Sequence, residues 1–516
     1  MRLRVLCLPL AALTLCLAPL AATAQASTDQ PLSVIDWLGT RSQPLRPSLG
    51  KTALPEEPAV AANALPPQVS VQPLGQGAPR EIGLVPGTVT GLPGDIWTGS
   101  DPDTLITLIE SLPDLQLPAA RSLLYTVLLA EAQAPQGDAA AGEVLALARV
   151  KALMRRGAID PALSLIEQAG VTKSPDHFDL WMEISLLAGT EDRACAVLTA
   201  APHLTRDYGT RIFCAARARN WENAALTLGS AKALGLMPDW RLALMDRFLN
   251  PDFYEEAAPL PPPRKIDPLS FRLFEAIGEP LSTGNLPRAF AVADLRDLVG
   301  WKAQLEAAER LTRAGSLPDN SLLGLYTERR AAASGGVWDR VRALQDFDTA
   351  LATGSAEAVT KTLPPVWQAM REAGLELVFV SLFAESLARI DLTGSAGEIA
   401  RTIALLSPNY EAAARASGGA SLPNQIALGE VTTNPPGEPR EAAIHEAFTS
   451  ARPRADLVVG AQQKRLGETI LHLLHMLHQG AEGDPTALRD ALATLRAIGL
   501  EDTARRAALQ LLLLEG

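Results

Sequence analysis

The 516 residues predict an all-α chain of stacked helical hairpins, an α-solenoid, placed behind a signal peptide and a disordered Pro-rich linker. Three observations carry this expectation. From Ser100 onward, apolar residues recur at helical spacing in segments of about 10 to 18 residues, each closed by Gly, Pro or a polar break. Runs alternating with period two are nearly absent, and aromatic residues are only 5% of a chain rich in Ala and Leu, a composition suited to helix packing. Finally, a short pattern recurs: an acidic residue followed two places later by Ala opens a helix at Asp160/Ala162, Asp192/Ala194 and Glu222/Ala224, spacings of 32 and 30. A hairpin of that size cannot bury its apolar stripe alone, so neighbours must stack.

Taken in order, residues 1–24 read as a signal peptide. Arg2 and Arg4 form a basic start, and Leu6 to Ala21 is an apolar run too short for a comfortable membrane span. Ala22-Thr23-Ala24 then fits the small-x-small cleavage rule. A permanent N-terminal anchor is the other reading. No other run is long and apolar enough to cross a bilayer, so a periplasmic location is expected after cleavage. The net charge is −12, and −14 without Arg2 and Arg4. Such a chain lacks the basic stripe that neutralises phosphates, so nucleic acid and anionic membrane surfaces are not expected partners.

Residues 25–99 are expected to be a disordered tether, dominated by Pro, Gly and Ala as in Leu65-Pro66-Pro67. Two apolar islands interrupt it. In the first, Ile35, Asp36, Trp37 and Leu38 are expected to form a linear partner-binding motif, with the linker supplying reach. Folding back onto the protein's own helices is the alternative. The second island, Gly91 to Trp97, is expected to cap the helical array beside it.

Ser100 with Asp103 resembles a capping box, with Pro102 in the first turn. An N-terminal helical-repeat array follows over 100–250, with helices expected at Pro118–Ala132, Gly142–Arg156, Pro161–Ala169 and Asp176–Leu187. Pro259 to Pro263 marks a Pro-rich break over 251–268. A second array is expected over 269–417, a loop over 418–440 containing Pro423, Pro435 and Pro436, and C-terminal helices over 441–516. One continuous superhelix and separate domains fit this pattern equally.

Cys7 and Cys16 leave with the signal. Cys195 and Cys214 lie in helical patterns joined near Pro202, and antiparallel neighbouring helices would bring them together. In an oxidising compartment a disulfide is expected; otherwise they are two buried thiols.

The stretch Ala215-Ala216-Arg217-Ala218-Arg219-Asn220-Trp221-Glu222-Asn223-Ala224-Ala225-Leu226 resembles the inter-helix turn of tetratricopeptide-type repeats. Leu153 to Gly157 with Pro161-Ala162-Leu163 is similar, and Gly499-Leu500-Glu501-Asp502-Thr503-Ala504 echoes it near the C-terminus. The resemblance covers roughly residues 140–235; the family's Tyr and Pro positions are mostly unmatched, and spacing drifts after residue 250. It implies stacked hairpins with a curved binding surface, and no particular ligand.

Chemistry-bearing residues are sparse. His472, His475 and His478 form the only histidine cluster. Glu468, His472 and His475 share a face that could hold Zn²⁺ or titrate, although the polar face of an amphipathic helix is the plainer reading. No metal and no cofactor are expected. Glu385-Ser386 with Ser395-Ala396-Gly397 resembles the acid-bearing motif of lytic transglycosylases, but the Gly-Leu-Met-Gln element that follows in that family is missing. Gly-x-Ser-x-Gly, P-loop and Gly-x-Gly-x-x-Gly elements are also missing. The expectation is therefore a non-enzymatic periplasmic protein–protein interaction scaffold of a bacterial envelope machine, flagellar or cell-wall related, with a protein partner. The alternative is a peptidoglycan-cleaving enzyme of lytic-transglycosylase type on an α-superhelix.

Overall fold

Left-handed turns set the architecture of the first array. The computed structural model describes residues 81–514 apart from Asp138, Asp297 and Thr433; the expected signal peptide and the motif Ile35, Asp36, Trp37 and Leu38 lie outside the described residues. Helices Ala139–Arg155, Ile159–Ala169, Pro175–Ala188, Glu191–Ala200, Tyr208–Arg217, Trp221–Ala233 and Asp239–Leu249 each pack on the next. Helix 139–155 also reaches 175–188, and 208–217 reaches 239–249, so hairpins stack on hairpins. At the turns within successive hairpins Gly157, Gly189 and Arg219 take positive φ, at +82°, +76° and +61°. Five places after each stand Ala162, Ala194 and Ala224, all fully buried. The left-handed residue reverses the chain, and the methyl side chain lets the returning helix approach closely. Gly499 and the fully buried Ala504 repeat the device near the C-terminus.

Helix Pro102–Ser111 begins differently from expectation. Asp101, not Ser100, is its N-cap, accepting from the Thr104 N–H at 2.9 Å. Ser100 is buried one residue ahead of the cap, and its hydroxyl meets no hydrogen-bond partner among the described residues.

Cys195 and Cys214 form a disulfide between helices 191–200 and 208–217, with Cα atoms 4.9 Å apart and both residues buried. The bridge closes a loop of sequence separation 19. Closing a loop of this length removes roughly 3 kcal/mol of denatured-state freedom on the chain-entropy account. Reduction with dithiothreitol, or the pair Cys195→Ala with Cys214→Ala, is expected to lower stability by that order in urea unfolding. An unchanged midpoint would mean that packing alone fixes this hairpin.

The expected tether 25–99 needs correction at its end. Residues 81–99 are structured: Glu81–Ile82 pairs antiparallel with Ala132–Gln133, and Leu92, Ile96 and Trp97 are buried. The second island does act as a cap, but it reaches beyond the first helix. The Gly467 N–H donates to the Ile96 carbonyl at 2.9 Å and the Gly99 N–H to the Lys464 carbonyl at 3.0 Å, which fastens the start of the fold to helix Leu466–Ala481.

The boundary expected near 269 also moves. Residues 255–267 are non-helical as their prolines require, but helix Pro268–Ala276 packs back on helices 175–188 and 239–249. The 3₁₀ segment Arg288–Leu295 then lies on helices 139–155 and 175–188. That face of the array is thus covered by the protein's own chain, and the first hydrophobic core continues through Phe290. A second core starts at Trp301, and helices Trp301–Arg313, Asp319–Glu328, Val337–Thr353, Ala356–Glu372, Glu376–Leu387 and Gly394–Leu406 contribute to it. Phe347, Phe379 and Phe383 cluster within it in tilted and edge-to-face arrangements, with ring centroids 4.9 to 5.2 Å apart.

The segment expected as a loop over 418–440 contains helix Leu422–Leu428, in which Ile426 and Ala427 are fully buried. Pro423 falls in its first turn, where a missing N–H does no harm. Helices Pro439–Thr449, Ala455–Gln462, 466–481, Pro485–Ala497 and Glu501–Leu513 complete the chain. Helix 501–513 packs on Pro118–Leu129, and helix 466–481 on 102–111 and 118–129. The Gln510 side-chain carbonyl accepts from the Ala119 N–H at 2.8 Å. Helices 466–481 and 501–513 therefore share one core with helices 102–111 and 118–129, and no described helix is long and apolar enough to cross a membrane.

Candidate functional site

Of the sequence-predicted candidates, none assembles into a reactive centre among the described residues. His472, His475 and His478 are half-buried, with the helix they occupy pressed on helices 102–111 and 118–129. The His475 ring Nε2 lies 3.4 Å from the Leu108 carbonyl, and burial lowers the His475 pKa. His478 sits 3.3 Å from Glu482, and Glu468 faces Arg465 at 3.6 Å. The polar face read from spacing is thus an inter-helix surface and not a solvated one. No group of three or more His, Cys, Asp or Glu side chains able to hold a metal occurs among the described residues. Glu385 stands on helix 376–387 with its side chain 79% exposed, paired with Arg389 one turn later. A general acid for glycoside cleavage needs a desolvated carboxyl, and this one is solvated.

Two features that spacing did not single out stand apart from the rest of the surface. The first is an exposed apolar stripe at the far end of the N-terminal array. Helix 221–233 packs on helices 208–217 and 239–249, and buries Ala224, Leu228 and Ala231. Trp221, Leu226, Leu234, Leu236, Trp240 and Phe253 remain exposed, Leu226 and Leu234 at 71% and 70% and Phe253 at 86%. The other five exposed large apolar residues are scattered from Leu84 to Val459. The sequence carries a mixed signal: Trp221, Leu226 and Leu234 are large apolar residues set among Glu222, Asn223 and Lys232, beyond the stripe of Ala224, Leu228 and Ala231 that the neighbouring helices cover.

The second is a cavity of about 390 Å³ where the two cores meet. Helix 118–129, the turn after helix 301–313, the start of helix 376–387 and Leu514 enclose it. Tyr125 points its hydroxyl to the Ser316 hydroxyl at 2.9 Å and to the Ala314 carbonyl at 3.2 Å. Arg288 pairs with both carboxylate oxygens of Asp114, at 3.0 and 2.5 Å, and Arg313 donates through Nε to the Ala373 carbonyl. Arg121 lines the same space and has neither a hydrogen-bond nor an ion-pair partner among the described residues. Desolvation lowers its pKa, with the Arg288 and Arg313 cations adding to the effect against Asp114. Asp319 and Glu376 also line the cavity, and burial raises both of their pKa values. Both charge signs thus face one space without full compensation.

Comparison with known protein families, curated proteins and solved structures finds no match to this chain.

Proposed function

We propose that the protein is a non-enzymatic interaction scaffold of a bacterial envelope machine, working in the periplasm and holding a protein partner. The observation that carries this reading is the apolar stripe between Trp221 and Phe253. Six exposed large apolar residues gathered within 221–253, with Glu222, Asn223 and Lys232 among them, are the kind of surface that marks a protein-binding face. Trp221 and Trp240 are the residue type that most often anchors such contacts. The motif Ile35, Asp36, Trp37 and Leu38 would act as a second anchor on its linker, so that two weak contacts combine by effective concentration. The tetratricopeptide-like turns fit the same role, since stacked hairpins present extended faces to partners.

The test is in-cell crosslinking of the wild type beside Leu226→Ser with Leu234→Ser, and beside Trp37→Ala. Each variant is expected to lose most of one common crosslinked partner. The double variant should keep its thermal midpoint, because both leucines are already solvated. Unchanged capture by the double variant would remove the stripe from the function. Release of soluble products from peptidoglycan by purified protein, abolished in Glu385→Gln, would replace the scaffold with an enzyme.

A further inference from the structure

We propose that the cavity lined by Arg121, Arg313, Asp319 and Glu376 binds a small zwitterion of amino-acid or short-peptide type. The argument starts from charge. A guanidinium withdrawn from water normally has a carboxylate beside it, because an unpaired buried ion is costly. Arg121 is partly buried, and the arginines near it have acceptors: Arg288 holds Asp114 bidentately, and Arg156 donates to the backbone carbonyls of Ala152 and Pro113. Arg121 has none, and its planar fork is the geometry that receives a carboxylate through two parallel hydrogen bonds. Arg313 has only its Nε engaged, which leaves its terminal nitrogens for the same anion.

The opposite sign is present on the other side of the ligand's requirements. Asp319 and Glu376, both partly buried, line the same space; desolvation raises both pKa values, only partly offset by a Ser381 hydrogen bond at Asp319 and by a backbone hydrogen bond and the Arg371 and Arg313 charges at Glu376. An ammonium group placed between them would restore the ionised state, as a nearby cation does for any carboxylate. A simple inorganic anion answers the arginines but leaves these acids uncompensated, and a simple amine does the reverse. A molecule with both groups answers both.

The remaining wall fixes the body of the ligand. Pro118, Leu129, Pro161, Leu377, Val378 and Leu514 supply aliphatic surface between the charged groups. A volume of about 390 Å³ falls at the small end of ligand pockets, which suits a dipeptide carrying an aliphatic side chain. The Ser122 side chain and the Tyr125 and Ser316 hydroxyls add groups able to donate or accept along the path. This site is separate from the apolar stripe, and its occupancy does not depend on the scaffold reading.

Calorimetry on the full chain tests the proposal with four probes: the dipeptide Ala-Leu, its N-acetyl form, its C-terminal amide, and inorganic phosphate. Ala-Leu is expected to bind saturably, and each blocked form to bind at least about tenfold more weakly, the loss expected for one charged hydrogen bond. Arg121→Met should weaken Ala-Leu by a similar factor and still fold, since Arg121 donates no hydrogen bond among the described residues. Asp319→Asn should weaken both Ala-Leu and its C-terminal amide, which keep the ammonium, and leave the N-acetyl form unaffected. No saturable heat with Ala-Leu overturns the proposal. Phosphate binding as tight as Ala-Leu overturns the zwitterion and leaves a plain anion site. Equal affinity of wild type and Arg121→Met, with both folded, removes Arg121 from it.

Discussion

Trp97→Ala is expected to lower the free energy of unfolding by about 3–5 kcal/mol, the range for truncating a fully buried aromatic side chain. Trp97 has no solvent exposure, and its ring lies directly against Gly467, where even a methyl group would come within 2.3 Å of it. The indole N–H has no hydrogen-bond partner, so the loss is one of packing and of the cavity left behind. Gly467→Ala is the matching experiment from the other side: the ring is enclosed and cannot retreat, so overpacking destabilises as well. Urea unfolding measures both. A loss below about 1 kcal/mol for Trp97→Ala would mean that residues 92–97 do not fasten the two ends of the fold.

Arg149→Met is expected to have an effect of similar size for a different reason. Arg149 is 2% exposed, and no carboxylate meets it. Its Nε, Nη1 and Nη2 donate to the carbonyls of Leu128, Ile82 and Ala130, each at 2.8 Å. Burial brings its pKa down to about 10, so it stays protonated at neutral pH. One side chain thus satisfies three carbonyls where the end of helix 118–129 meets strand 81–82. Methionine keeps much of the volume and leaves all three acceptors dry. At about 1–3 kcal/mol for each buried group left unsatisfied, partly relieved by relaxation, a loss of roughly 3–5 kcal/mol follows. Arg149→Lys should recover little, because a single ammonium cannot span three diverging carbonyls. Full stability of the methionine variant would show that water replaces the guanidinium.

The parts of the fold that were legible are those determined within one hairpin. Helix 175–188 departs from its sequence expectation by one residue at each end, because Ser174 caps it and Gly189 stops it. The acidic-x-Ala signature found the buried small residues Ala162, Ala194 and Ala224, and the disulfide was implied by two cysteines in neighbouring antiparallel helices. What spacing could not convey is contact between residues far apart in the chain. Ile96 and Trp97 were expected to cap the array beside them, but their contact with helix 466–481, far along the chain, has no local signal. The histidine face looked solvated because periodicity describes one helix, not the helices laid upon it. Arg121 and Asp319 are remote in sequence and share a cavity only after the second core docks on the first. Over residues 221–234 polar and large apolar side chains alternate irregularly, so spacing did not say which of Trp221, Leu226 and Leu234 would stay exposed.

The bond from the Ala119 N–H to Gln510 joins residues 391 positions apart, which has a consequence for biogenesis. A chain that emerges from its N-terminus forward can assemble its early hairpins at once, yet helix 118–129 keeps an apolar flank uncovered until helix 501–513 arrives. Early helices normally settle first during synthesis; here helix 501–513 decides when helix 118–129 becomes safe from aggregation. Truncations that remove helix 501–513 should therefore be about as damaging as lesions in helix 118–129, and a general chaperone would have the synthesis of everything between them in which to act.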